Sequence, residues 1–403
     1  MKTIATTLLM SALASTTLFG AGAAVNALKV SNDINTISYA SALWNKATFS
    51  PVFLYPQTTI RMNDKKANEM NAHNHAKKAM VAAVYNDHNI AFMIRWPDAT
   101  INVQKGESTT TYADGFAVQF ASRVDDPNKL PYIGMGSQGR PVVVHLQKVA
   151  KDIYEPDGHG EVAYQVNRNQ TDLFGKALQA FDKKVQSLGS SDYERSFISE
   201  GFRSMTEIKD GSNNSYARIR YLKKDHAWEG TLTRALKDEY VNLNAPAIPV
   251  AFAVWDGEKM GRDGLKHLSA WVSVKLQGKQ GGEALISALD GTLVGDPKAG
   301  KRAVAANGCA GCHQMTAEDA PNILGPSLRN IGGYSTAGYL KESLLNPSAA
   351  IVPGYNRNAH SAYPWYTVNN GKRVSAMTDY SWLDQKTQND IVAYLQTLKA
   401  EVK

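Results

Sequence analysis

The sequence predicts two domains, an antiparallel β-sandwich followed by a small all-α domain. Three observations predict it. From Asn35 to Leu276 apolar residues recur with a period of two, from Asp296 onward they recur at helical spacing between capping residues, and glycines crowd the stretch between. A chain of 403 residues has room for two or three domains and buries a sizeable core without disulfides.

Residues 1–27 read as an export signal: Lys2 supplies the charge, Ile4 to Phe19 the apolar stretch, and Ala21-Gly22-Ala23 or Val25-Asn26-Ala27 a small-residue cleavage site. An uncleaved anchor is the competing reading, opposed by Thr6, Thr7, Ser11, Ser15, Thr16 and Thr17, which dilute the stretch. No later segment is apolar enough to span a bilayer, so a soluble periplasmic protein is expected.

Residues 28–276 form the sandwich. Val81, Ala83 and Tyr85 alternate up to the polar turn Asn86-Asp87-His88-Asn89, and Ile90, Phe92, Ile94 and Trp96 alternate out of it, which is a hairpin signature. Phe116, Val118 and Phe120 repeat the pattern, as do Val142, Val144 and Leu146, and Val250, Phe252 and Val254. Several such strands suggest a sandwich. One helix is expected among them, where Phe174, Leu178, Phe181, Val185 and Leu188 keep helical spacing, and Gly189 to Ser215 reads as a surface excursion. Residues 277–295, with Gly278, Gly281, Gly282, Gly291 and Gly295, read as a linker.

Residues 296–403 open with Asp296 as N-cap and Pro297 at the first helical position, and Gly308 stops that helix. Asp384 caps a final helix carrying Ile391, Leu395 and Leu398. Just after Gly308 comes Cys309-Ala310-Gly311-Cys312-His313, built from the only two cysteines of the chain. Two thiols at this spacing add across the vinyl groups of one haem, and the adjacent histidine reaches its iron. A disulfide or half a zinc site is the alternative, but a second CxxC is absent and neither requires that histidine.

A formal net charge of +7, mixed along the chain, fits solubility and acidic redox partners rather than nucleic-acid binding. His73 and His75 lack a carboxylate or third ligand beside them, the pattern of a solvated pair more than of a metal site.

Leu324-Gly325-Pro326-Ser327-Leu328 and Ser375-Ala376-Met377-Thr378-Asp379, together with the haem motif, resemble class I cytochrome c over residues 296–403. The resemblance implies that the Pro326 carbonyl supports His313, that Met377 is the sixth ligand of haem c, and that Gly300 and Tyr394 meet where two helices cross. His360 is the main rival to Met377; Met315 stands too near the proximal histidine. The loop Asn346 to Asn370, with Tyr355, Tyr363, Trp365 and Tyr366, is long for that family and either covers the haem edge, meets a partner, or packs as an ordinary loop.

A second resemblance rests on Trp44 with Gln57, Arg95-Trp96-Pro97-Asp98, Asp114-Gly115-Phe116-Ala117-Val118-Gln119-Phe120, Tyr132-Ile133-Gly134-Met135-Gly136, Trp228-Glu229-Gly230 and Phe252-Ala253-Val254-Trp255-Asp256-Gly257. Over most of residues 35–276 these look like the haem b-binding subunit of ethylbenzene dehydrogenase and related molybdenum enzymes. The resemblance implies a DOMON-like sandwich with a non-covalent haem b held by a Met and a Lys. Met135 sits in the corresponding turn, where flanking glycines allow close backbone approach. Lys266 shares a strand face with Leu268, Ala270 and Val272, where a lysine is costly unless neutral or paired. A lysine snorkelling from a strand end is the bland alternative, and Lys223, Lys224 and His145 are other candidates.

The expectation is a dihaem electron carrier, not an enzyme, relaying electrons between an oxidoreductase, a molybdenum enzyme being the candidate, and another cytochrome. Its alternative is a monohaem cytochrome c fused to a sandwich that binds a non-haem ligand. A haem peroxidase would need an open iron and a distal acid or base, and neither is evident.

Overall fold

The computed structural model describes residues 24–105, 112–151, 193–202, 204–209, 215–322 and 324–403. The expected helix from Phe174 to Leu188 and residues 1–23 of the export signal lie outside them.

Thirteen strands form one continuous sheet. They are β1 (Val25–Lys29), β2 (Ser50–Pro56), β3 (Lys77–Tyr85), β4 (Asn89–Pro97), β5 (Gly115–Ala121), β6 (Val142–Lys148), β7 (Tyr193–Ser199), β8 (Met205–Ile208), β9 (Tyr216–Leu222), β10 (Ala227–Ala235), β11 (Ala247–Trp255), β12 (His267–Leu268) and β13 (Val272–Leu276). The order is β8-β7-β6-β5-β11-β12-β2-β3-β4-β10-β9. Strand β1 inserts in parallel beside β13 and β3, and the other pairings of this sheet are antiparallel.

The sheet folds over on itself, so the expected sandwich is found. Phe92 of β4 packs against Phe120 of β5 and Phe252 of β11, with ring centroids 5.9 Å apart in both pairs. Val81, Ala83, Ile94, Trp96, Phe116, Val118, Val250 and Val254 fill the same core. The hairpin register pairs Ala83 with Phe92 and Val81 with Ile94, so the alternation read from sequence lands on one face. Asn86 closes its turn by accepting from the backbone N–H groups of His88 and Asn89.

Three boundaries differ from expectation. Val25 and Ala27 are fully buried in β1, so the sandwich starts before residue 28. The excursion expected from Gly189 to Ser215 contains β7 and β8; serines at the buried positions Ser196 and Ser199 hid the alternation. The strand expected through Lys266 is instead two short ones, with Lys266 just ahead of β12.

Several quoted motif residues meet at one end of the sandwich. Lys77 Nζ lies 3.3 Å from Asp98 and 3.0 Å from Asp256, while Asp114 accepts from Trp228 Nε1 (3.1 Å) and the Gly257 N–H (2.8 Å). That cluster ties five strand ends together.

The expected linker is structured: helix α2 (Glu283–Leu289) buries Leu285 and Leu289, following α1 (Lys65–Ala72) of the sandwich. The C-terminal domain comprises α3 (Pro297–Ala306), α4 (Ile331–Tyr334), α5 (Ala337–Leu345) and α6 (Gln385–Thr397), with a hairpin, Tyr366–Asn369 and Lys372–Ser375, between the last two. This helical unit lies on the outer face of the sandwich. Ala117, Val142, Val144, Ala251 and Ala253 share one core with Leu340, Leu344, Val352 and Ile391, so β5 and β11 are buried on both faces. Polar contacts pin the seam: Asn330 Nδ2 donates to the Pro56 carbonyl at 3.0 Å, the Gln138 N–H to the Ile351 carbonyl at 2.9 Å, and Arg140 Nη2 pairs with Glu342 at 2.8 Å.

Candidate haem centres

Asp296 accepts from the Lys298 N–H at 2.8 Å and starts α3, with Pro297 at its first position as expected. Gly308, at φ +67°, ends it and turns the chain into the short helical turn Cys309–Gly311. Cys309 is half-buried and Cys312 exposed. The turn is closed by the His313 N–H donating to the Cys309 carbonyl at 3.0 Å.

His313 Nδ1 lies 2.8 Å from the Pro326 carbonyl. A carbonyl only accepts, so Nδ1 carries the proton and the Nε2 lone pair is left for a metal. Burial pushes His313 down, which keeps the ring neutral, and the Pro326 contact opposes that in part. Gly325 makes the approach possible: a Cβ there would stand 2.7 Å from His313 Cε1.

His313, Cys309, Cys312 and Met377 line one cavity, walled by Val304, Leu328, Ile331, Leu340, Leu344, Ile391 and Leu395. An apolar slot with two thiols, one oriented imidazole and a thioether fits a covalently held haem. Met377 is set by the Ser375 hydroxyl, which accepts from its N–H at 3.1 Å. Met315 also lines the cavity, whereas His360 is exposed, rests against Tyr363 and does not. The long loop contributes Tyr355, Trp365 and Tyr366 to the wall and leaves Tyr363 outside, 56% exposed. Sequence reasoning missed that two wall residues, Thr59 and Tyr132, come from the sandwich.

In the sandwich, Lys266 is buried and its Nζ donates to the Asp263 carbonyl at 3.1 Å, 5.5 Å from the centre of the Trp255 ring. Burial lowers it to about 8, only partly opposed by Asp263. An amine so placed gives up its proton readily, which suits the neutral donor that an iron needs. Met135, half-buried, sits at φ +77° in a tight turn. The room beside its glycines is taken by protein: a Cβ on Gly134 would meet Tyr132 and Gln57, and one on Gly136 the Ser199 carbonyl. Gln57 joins the two segments, because its N–H donates to the Lys266 carbonyl at 2.9 Å while its side chain lies against Gly134.

The other candidates fall away on placement. Lys223 and Lys224 are exposed on the turn between β9 and β10. His145 is buried with both nitrogens engaged, Nδ1 to Ser196 at 2.7 Å and Nε2 to Arg234 at 3.2 Å. His73 and His75 are exposed, and the one group of three or more potential ligands among the described residues is Asp98, Asp114 and Asp256, already bridged by Lys77.

Residues 41–267 match the family model of ethylbenzene dehydrogenase, and residues 297–399 that of cytochrome c. No curated protein matches the chain. Among solved structures it is similar to a family 9 carbohydrate-binding module from Caldicellulosiruptor kristjanssonii in complex with glucose. Identity is 9% over 64% of this chain and 97% of that one, with a TM-score of 0.29. The same module in complex with cellotriose matches at 9% identity over 64% and 95%, with a TM-score of 0.31.

Proposed function

As the chain belongs to the ethylbenzene dehydrogenase family through residues 41–267 and carries a cytochrome c domain at 297–399, we propose that it is a periplasmic dihaem electron carrier. The observation that carries this reading is the single cavity shared by Cys309, Cys312, His313 and Met377, with His313 already oriented by Pro326. When bound, haem c supplies a one-electron centre whose His/Met ligation favours a raised potential and transfer over catalysis. The chain's own residues do the rest. The cysteines anchor, Pro326 fixes the imidazole, and the aliphatic wall excludes water.

In the sandwich, Met135 and Lys266 would hold a haem b, with Lys266 donating as a neutral amine. Electrons would pass between the sandwich and a molybdenum oxidoreductase on one side, and between the helical domain and another cytochrome on the other. Among the described residues no helix is long and apolar enough to cross a membrane, and the charged, motif-bearing N-terminus supports export.

Met135→Ala and Lys266→Ala in the full-length holoprotein test the haem b ligands. Each is expected to turn the non-covalent haem high-spin or to lose it while covalent haem is unchanged. A non-covalent haem spectrum indifferent to both changes would remove these residues from the iron.

A further inference from the structure

We propose that the sandwich completes the haem c site, with the hydroxyls of Thr59 and Tyr132, joined by that of Tyr355, seating the propionate edge of the macrocycle. This rests on the covalent haem alone and is independent of whether the sandwich holds a haem b.

The cavity has a polarity that the chemistry of haem makes directional. Thioether bonds form at the vinyl half of the ring, and the two propionates lie on the other half. Here Cys312 is exposed and Cys309 half-buried, so the vinyl half is held at the protein surface. The carboxylate-bearing half is then directed inward, where a carboxylate is costly unless it meets hydrogen-bond donors.

Among the described residues that line the cavity none is a lysine or an arginine, so the donors among them are neutral. A buried cluster of them lies on the side formed by the sandwich. Thr59 Oγ1 is 2.8 Å from Tyr132 OH and 3.3 Å from Tyr355 OH, and the Tyr132 ring meets those of Tyr339 and Tyr355 at 5.2 and 5.7 Å. Thr59, Tyr132 and Tyr355 are all within 8% of full burial and all line the cavity. Hydroxyl protons rotate at little cost, so such a cluster redirects its donors toward an anion without moving its backbone. Thr59 is positioned by β2 and the segment after it, and Tyr132 by the turn from Pro131 to Gly136, where the Gly136 N–H donates to the Tyr132 carbonyl at 2.9 Å.

Tyr132 and Thr59 are positioning residues, since they touch the group that carries charge rather than the iron. Donors on a propionate spread its negative charge, and losing them leaves more of that charge beside the iron, which favours the ferric state. The test uses full-length protein with covalent haem, comparing Thr59→Val, Tyr132→Phe and Thr59→Ser, with Tyr363→Phe as an exposed control. Thr59→Val and Tyr132→Phe are each expected to retain covalent haem and shift the haem c midpoint potential downward. Thr59→Ser is expected to restore it, and Tyr363→Phe to leave it unmoved. Wild-type potentials in both hydroxyl-deleted variants, with covalent haem intact, would overturn the proposal and reduce the cluster to packing between domains. So would a shift in Thr59→Val that Thr59→Ser fails to reverse.

Discussion

His313 has one ring nitrogen committed to the Pro326 carbonyl before any metal arrives, and this restriction gives the haem motif its direction. Met377 shares the cavity with His313 and the exposed His360 does not, so Met377 is the sixth ligand we propose. Met377→Ala is expected to lower the haem c potential and to let carbon monoxide bind the ferrous iron. A carbon monoxide-insensitive spectrum at the wild-type potential would take Met377 off the iron. Asp114 yields a prediction in pH. Burial pushes its carboxyl up from 3.8 to about 7, with the N–H groups of Gly257 and Asn102 opposing the rise. The folded state therefore binds more protons than the unfolded one between those values, so the contribution of this group to stability falls as pH rises from about 4 to about 7. The difference in Tm between wild type and Asp114→Asn is expected to change across that window and level off above it. A constant difference would contradict the assignment. Of the residue-scale features, the haem motif was legible because covalent chemistry dictates its spacing, and Pro326 only through the resemblance to class I cytochrome c. Thr59 was not, because a lone threonine carries no periodicity and finds its role only through a fold-level contact.

At the scale of elements, what was legible followed from local physics. The β3–β4 hairpin has alternation on both strands and a polar turn, and α3 has a side-chain cap with proline at its start. The crossing of α3 and α6 at Gly300 was implied by the resemblance to class I cytochrome c; a Cβ there would stand 1.8 Å from the Asp390 carbonyl and 2.8 Å from Tyr394 Cβ. Backbone cannot yield there as a flexible side chain would. Gly300→Ala is accordingly expected to destabilise the helical domain by roughly 2–3 kcal/mol, read from denaturant unfolding followed at the haem band. A loss under about 0.5 kcal/mol would show that the helices separate freely. Strand β7 was illegible because serines occupy buried positions, β8 because it is four residues long and buries only Ile208, and the break between β12 and β13 because alternation in sequence continues through it.

For the whole molecule, the sequence separated two domains correctly but left their seam unseen. Strands β5 and β11 are buried on both faces, and their outward positions hold Ala117, Ala121, Ala251 and Ala253 where a solvated sheet would carry charge. Small apolar residues at alternating outward positions were the available signal. The seam brings Thr59 and Tyr132 to the cavity of the cytochrome c domain, so the two domains share one site. We propose that the molecule holds two haems, one covalent and one not. Acidified-acetone extraction of the purified full-length holoprotein, with haem quantified in pellet and supernatant, tests that most directly, since only non-covalent haem dissolves. The account predicts equal amounts of haem in the two fractions; haem confined to the pellet would contradict it and leave a monohaem cytochrome whose sandwich binds something else.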